Sequence, residues 1–318
     1  MTQKEKNKAS LVELFETFVK QRRSSEGKAT ATIRNYHDSF ELLLKFKPDV
    51  RLSDLNSDLM VDFFDFAQTR ERMVGNKLVV RPLKNSSIAT IRGKLSSFFM
   101  WLVENKYLAK NPFKGIAWPD VSYTDKRAFT KEEFDKIYVA ISRDIVWENK
   151  LLKKRNLAMI MFFNLTGVRK GEFLGLNLSD VNLREKVVTV RGETSKSKRT
   201  RNIPLKLELL PFLEEYLDCR RDYSTEAFWV SSTKDCRYTA HGLKHTINHL
   251  NEVTGINCHV HRFRHTFAVN YYMQTNDLVG LYGLLGHRSF KMTLSYLRSL
   301  SDDHIIKQMD ALKLAKFR

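Results

Sequence analysis

The sequence predicts a mainly α protein of two domains, the first a small all-helical bundle, the second mostly helical with one small antiparallel β-sheet. Three observations carry that expectation. A chain of 318 residues exceeds what one compact core usually holds. Apolar residues recur at three- and four-residue spacing over most of its length. From Asn111-Pro112 to Pro119-Asp120-Val121-Ser122 that periodicity lapses while Pro, Gly and Ser gather, which is a linker signature. The expected boundaries are 1–113 for the first domain, 114–126 for the linker and 127–318 for the second domain.

In the first domain, Leu11, Leu14, Phe15 and Phe18 stand at helical spacing within residues 9–22, with Ser10 as N-cap. A second helix is expected over 30–46 with Ile33, Tyr36, Phe40, Leu43 and Leu44 inside, stopped by Pro48. The third opens near Asn56 or Ser57 and carries Met60, Phe63, Phe64 and Ala67. Residues 73–82 read as a short hairpin, and 86–105 as a fourth helix with Ile88, Ile91, Leu95, Phe98, Phe99 and Leu102 inside. Beyond the linker, Thr130-Lys131-Glu132-Glu133 forms a capping box at a helix start. The nearly continuous apolar run 157–165 is a buried helix, given the helical pattern on both sides. Val187-Val188-Thr189-Val190 and 200–204 are the two convincing strands, joined by the basic turn Ser195-Lys196-Ser197-Lys198-Arg199, and helical spacing then resumes to the end.

Composition narrows the function class. Lys and Arg number 54 against 36 Asp and Glu, a formal net charge of +18. Both parts share the excess: residues 1–125 hold 21 basic against 15 acidic side chains, residues 126–318 hold 33 against 21. A polyanion such as nucleic acid is the partner this favours over a solvated basic surface, and the even spread along the chain disfavours a membrane-surface helix. No apolar run reaches the roughly 20 residues that span a bilayer, and the N-terminus lacks the apolar stretch of a signal peptide, so an intracellular protein is expected. Cys219, Cys236 and Cys258 have no paired spacing, which argues against disulfides or a thiolate zinc site.

Three motifs carry chemistry. In Thr166-Gly167-Val168-Arg169, Glu172 follows the arginine by three residues, so on a helix the carboxylate can hold the guanidinium; a surface ion pair at a broken helix end reads the same way. In His261-Arg262-Phe263-Arg264-His265, an imidazole and a guanidinium share a helical face and point at one anion. His261 and His265 also stand four apart, but the glutamate of an HExxH site and any third ligand are missing, so no metal is expected. In Leu284-Leu285-Gly286-His287-Arg288-Ser289, Gly286 ends one helix, His287 sits on the turn, and Tyr296 follows nine residues later, two turns into the next helix. A core tyrosine with a satisfied hydroxyl is the alternative for Tyr296.

In this order the motifs resemble the tyrosine recombinases, the phage-integrase family. That family presents an arginine after Thr-Gly, a lysine in a β-turn, a His-x-x-Arg box, Leu-Gly-His, and a nucleophilic tyrosine nine residues after that histidine. Arg169, His261, Arg264, His287 and Tyr296 match residue by residue, and Glu172 matches the acidic residue supporting the first arginine. The family's lysine lies eight residues before the proline after the second strand, so Pro204 selects Lys196, with Lys198 as the second candidate. The resemblance covers residues 10–300 and implies a SAM-like core-binding domain followed by the catalytic domain. It implies site-specific recombination or integration, as for a mobile element, by DNA cleavage and rejoining through a 3′-phosphotyrosyl intermediate, without metal, ATP or other cofactor. The implied partners are double-stranded DNA, a homotetramer on two DNA sites passing through a Holliday junction (monomer or weak oligomer when free), and accessory DNA-bending proteins. The implied location is the bacterial cytoplasm, at the nucleoid, with no membrane. The amphipathic segment from Asp302 to Arg318 either packs on its own domain or docks on a neighbouring protomer. Arg34, Arg92, Lys94 and Lys198 are candidate DNA contacts.

The residue set suits phosphodiester chemistry. Arg169 and Arg264 offer forked, permanently charged donors to the non-bridging oxygens, the electrostatic work otherwise given to a metal. Tyr296 attacks, His261 assists its deprotonation, Lys196 protonates the departing 5′ oxygen, and His287 is expected to hydrogen-bond a phosphate oxygen. Two other readings use the same chain: a type IB topoisomerase-like relaxation of DNA, and a DNA-binding accessory protein without catalysis.

Overall fold

The computed structural model describes residues 9–27, 29–74, 77–80, 82–120, 128–195 and 198–297. The chain divides into two compact units, Met1–Tyr123 and Thr124–Arg318. Among the described residues no helix is long and apolar enough to cross a membrane.

The first unit is a helical bundle. Helix α1 (Leu11–Ser24) opens on a full capping box, with the Ser10 hydroxyl accepting from the Glu13 N–H and the Glu13 carboxylate accepting from the Ser10 N–H. Helix α2 (Thr30–Phe46) ends just before Pro48, and α3 (Ser57–Thr69) is capped by Asn56. The hairpin β1 (Glu71–Val74) and β2 (Lys77–Val80) leads to α4 (Asn85–Glu104). The apolar stripes meet in a largely aromatic core: the Phe15 and Phe40 rings stack 3.9 Å apart, and Phe98 meets both edge-on.

Arg92, expected as a candidate DNA contact, is turned inward and engaged by its own unit. Its side chain is buried and donates to the carbonyls of Phe113, Ile116 and Ala117, with its guanidinium carbon 4.4 Å from the Trp118 ring centroid. Residues 112–115 form turns after α4, and Arg92 supplies a donor to the carbonyls of Ile116 and Ala117 that follow them, adding to the Ile116 N–H at Phe113 O. The expected linker therefore begins on a packed segment, and its residues 121–126 lie outside the described ones. Arg34 is exposed on α2, and half-buried Lys94 holds its ammonium 4.5 Å from the Tyr36 ring centroid.

In the second unit α5 (Lys131–Val139) carries the expected capping box of Thr130 and Glu133. Helix α6 (Lys150–Thr166) is central, with Leu157, Ala158, Met159, Ile160, Phe162 and Phe163 buried. A short α7 (Lys170–Leu174) precedes the antiparallel sheet of β3 (Val181–Asn182), β4 (Val187–Val190) and β5 (Arg201–Pro204). Strand β3 was not expected; with two residues it has no alternation to read. Helices α8 (Leu210–Arg220), α9 (Ala240–Thr254), α10 (Val260–Thr275), α11 (Leu278–Leu285) and α12 (Phe290–Leu297) complete the unit.

The expected unbroken run of helices is interrupted over residues 221–239. There Phe228, Trp229 and Val230 enter the core, the Trp229 ring stacking on Phe173 at 4.5 Å and on Tyr216 at 5.0 Å. The buried backbone is satisfied by side chains: the Tyr216 hydroxyl donates to Phe228 O and accepts from Val230 N–H, while Arg237 donates to the carbonyls of Leu174 and Leu176. A satellite cluster of Phe267, Ala268, Leu281 and Leu285, with Tyr296 packed against it, joins α10, α11 and α12 under the site.

Candidate active site

Helix α6 stops at Gly167, which takes the left-handed conformation at φ 61° and turns the chain toward Arg169. A Cβ there would collide with the Phe267 ring, so both the dihedral and the space require glycine. Arg169 is the N-cap residue of α7. Its own N–H and its Nη1 both donate to Glu172, each at 2.9 Å.

Helix α11 ends at a second left-handed glycine, Gly286 (φ 58°), immediately before His287. A helix C-terminus leaves its last carbonyls without partners inside the helix and concentrates negative potential there. Guanidinium groups take up these carbonyls. Arg169 donates to Leu285 O at 3.2 Å and to Gly286 O at 3.3 Å, and Arg264 donates to Leu285 O at 2.7 Å. The Leu285 carbonyl is thus a shared anchor holding two arginines side by side.

Arg264, on α10, is 1% exposed. Its Nη1 donates to Gly167 O at 2.6 Å, its Nη2 to His287 Nε2 at 2.9 Å and its Nε to the Tyr296 phenol oxygen at 3.3 Å. Burial lowers its pKa to about 10, opposed by the adjacent Tyr296, and it remains a cation at neutral pH.

The tautomer of His287 follows from its partners. A guanidinium cannot accept, so Nε2 is the acceptor, and Nδ1 carries the proton donated to Thr293 Oγ1 at 2.8 Å. Burial, then the charges of Arg264, Arg169 and Arg201, push the imidazole down to about 3. The expected hydrogen bond from His287 to a phosphate oxygen is therefore not available in this arrangement, because Nε2 has no proton and already supports Arg264. The Tyr296 ring lies parallel to His287 at 5.5 Å and meets His265 edge-on at 5.4 Å.

Glu172 is the counter-charge of the site and is 1% exposed. Burial alone would raise its pKa, but hydrogen bonding and charge from Arg201, followed by Arg169, hold it down at about 2. It accepts Arg201 through both oxygens, at 3.1 and 2.8 Å, and the Ser195 hydroxyl at 2.9 Å.

The structure thus brings Arg169, Glu172, Arg264, His287 and Tyr296 together. His261 lies exposed on the first turn of α10, one turn before Arg264. Lys196 lies outside the described residues, and Lys198 is exposed with a left-handed φ of 56°. His265 is buried while His261 is exposed, so the two do not form a chelate, and among the described residues no group of three or more His, Cys, Asp or Glu side chains could hold a metal. Sequence reasoning missed Arg201 and the roles of Ser195, Thr293 and His265. For Arg201 a signal existed: it stands two residues before Ile203 on a strand, so a charge shares a face with a core isoleucine.

Two sequence models of known families match the chain. The model of the phage integrase family matches residues 127–302, and that of the phage integrase SAM-like domain matches residues 10–120. The chain belongs to the phage integrase family. Among the relatives of this integrase is the tyrosine recombinase XerC of Escherichia coli O157:H7 (strain EC4115 / EHEC), 28% identical over 284 residues covering 88% of this chain and 89% of that one. The fold is that of the Tn1549 transposon integrase in complex with transposon right end DNA (TM-score 0.74, 15% identity, 96% of this chain and 99% of that one). It is equally recognisable in a lambda integrase dimer bound to a core site (TM-score 0.69, 19% identity, 99% and 81%) and in the XerH recombinase bound to its difH substrate after cleavage (TM-score 0.68, 18%, 94% and 83%). The mainly helical, two-part fold expected from the integrase's sequence is shown by these matches.

Proposed function

We propose that this integrase is a site-specific DNA recombinase that cuts and rejoins duplex DNA through Tyr296. The observation that carries the reading is the phenol oxygen of Tyr296 at 3.3 Å from Arg264 Nε, while Arg264 and Arg169 share the Leu285 carbonyl. A nucleophile and two fixed cations are what an in-line attack on a phosphodiester needs.

In this scheme Arg169 and Arg264 neutralise the non-bridging oxygens. The phenol oxygen forms a bond to phosphorus as the bond from phosphorus to the 5′ oxygen breaks. His261 takes the phenol proton, and Lys196, or failing it Lys198, gives one to the 5′ oxygen. His287, neutral and engaged as an acceptor, orients Arg264. The 3′-phosphotyrosyl ester keeps the free energy of the broken bond, so a 5′ hydroxyl from another strand reverses the step without ATP. Four protomers on two DNA sites, exchanging strands through a Holliday junction with help from DNA-bending accessory proteins, form the assembly we propose.

The test is covalent capture: the protein is incubated with random-sequence nicked duplexes in EDTA and resolved under denaturing conditions. A protein–DNA adduct formed by the wild type and lost in Tyr296→Phe supports the reading; an adduct persisting in Tyr296→Phe removes Tyr296 as nucleophile. With the captured sequence placed twice on a plasmid, relaxation without recombinants would replace recombination by topoisomerase activity.

A further inference from the structure

Arg201 stands at the junction of the segments that build the site, yet it belongs to none of the motifs that identify it. It opens β5, paired with Val190 on β4, three residues after Lys198. All three of its guanidinium nitrogens are committed. Nη1 and Nη2 donate to the two oxygens of Glu172, and Nε donates to Leu284 O at 2.7 Å. Its side chain is 9% exposed, and both groups it holds belong to the protein itself. The guanidinium also lies directly beneath Gly286, where an added Cβ would stand 2.9 Å from Arg201 Nη1.

These contacts complete a pattern at the end of α11. Leu284 O takes Arg201, Leu285 O takes Arg169 and Arg264, and Gly286 O takes Arg169. Three successive carbonyls are thus held by three guanidiniums, two of which are tied together through Glu172. At the first of these carbonyls, Arg201 joins the α11 end, next to His287, to the Glu172 carboxylate on α7. Ser195, on the segment between β4 and β5, donates to the same carboxylate.

We propose that Arg201 is a positioning residue of this centre: by bridging the Glu172 carboxylate and the Leu284 carbonyl, it sets the spacing between Arg169 and the Arg264–His287–Tyr296 group. This rests on the cleavage reading above. Only an arginine spans both acceptors, since it presents two N–H groups in a fork to the carboxylate and a third from Nε to the side. A lysine ammonium would reach one of them.

The test is single-turnover cleavage of the captured duplex at saturating DNA, with DNA affinity and thermal melting measured in parallel. Misplacement of reacting groups by about an ångström costs on the order of 100-fold in rate, so Arg201→Met is expected to slow cleavage about that much with DNA affinity within about threefold of wild type. Arg201→Lys, which keeps the charge, is expected to melt near wild type and recover only part of the rate. Because the effect passes through Glu172, the Glu172→Gln/Arg201→Met double variant is expected to be no slower than the slower single variant. Should Arg201→Met fail to fold, Arg201→Lys decides alone. Wild-type cleavage rates in Arg201→Lys or in a folded Arg201→Met, or losses matched by lost affinity or lost folded protein, overturn the proposal. A wild type that forms no adduct with any duplex refutes instead the cleavage reading on which it stands.

Discussion

Glu172 is the residue on which the others converge, and its burial makes its charge a condition of the fold. Its carboxyl stands at about 2 against an ordinary 4.5, so its ionised pairing contributes stability that is full above about pH 4.5 and is lost as pH falls toward 2. His287 acts in the same direction: it is held neutral in the folded state down to about 3, whereas an unfolded chain takes up the proton near 6.5. Stability is therefore expected to fall as pH drops below about 6.5 and more steeply below 4.5. Denaturant titrations from pH 7 to 3 check this, and Glu172→Gln should flatten the lower part of the curve while destabilising the protein at pH 7 by about 3 kcal/mol, the scale of a broken buried ion pair. A curve with no loss between pH 6 and 4 would contradict the neutral His287. Arg169, Glu172, Arg264, His287 and Tyr296 were legible because short local spacings mark them. For Arg201 the sequence marked only a charge on the face of a core isoleucine; its partners lie 29 and 83 residues away, and only the folded chain brings them together.

Helix ends, more than helix interiors, make the site. The caps were legible, because a cap is a local event: Ser10 and Thr130 each carry the hydrogen bond their residue type suggested, and Asn56 caps the helix whose start was expected near Asn56 or Ser57. What the sequence concealed lies where local preference yields to burial, as in residues 221–239, where Trp229 is drawn into the core and the backbone is satisfied by distant side chains. Gly167 combines both kinds of constraint. Its carbonyl accepts from Arg264 and its left-handed dihedral ends α6. Gly167→Ala is therefore expected to lower stability by about 1–3 kcal/mol, from strain plus the clash with Phe267, and to reduce cleavage beyond that loss by displacing Arg264. Melting and single-turnover cleavage, measured on the same preparation, separate the two effects. Unchanged cleavage per folded molecule would show that Arg264 does not depend on this turn.

At the scale of the whole molecule, the charge of +18 sets the terms of DNA binding. Each phosphate neutralised releases condensed counterions, so the logarithm of affinity falls with the logarithm of salt at a slope of about 0.9 per contact. Two arginines of the first unit, similar in the sequence, should then behave differently. Arg34 is exposed on α2; if it touches a phosphate, Arg34→Ala lowers the slope by about one and leaves the unit as stable as before. Arg92 is enclosed by Phe113 and Trp118 and spends its donors on backbone carbonyls, so Arg92→Ala should leave the slope unchanged and unfold the first unit at lower denaturant, by loss of a buried hydrogen-bonding cation. Fluorescence-anisotropy titrations at several salt concentrations, paired with chemical denaturation, read both quantities. A slope that falls with Arg92→Ala in a fully folded protein would mean that this side chain leaves its carbonyls to meet DNA, and the turns after α4 would then rearrange on binding.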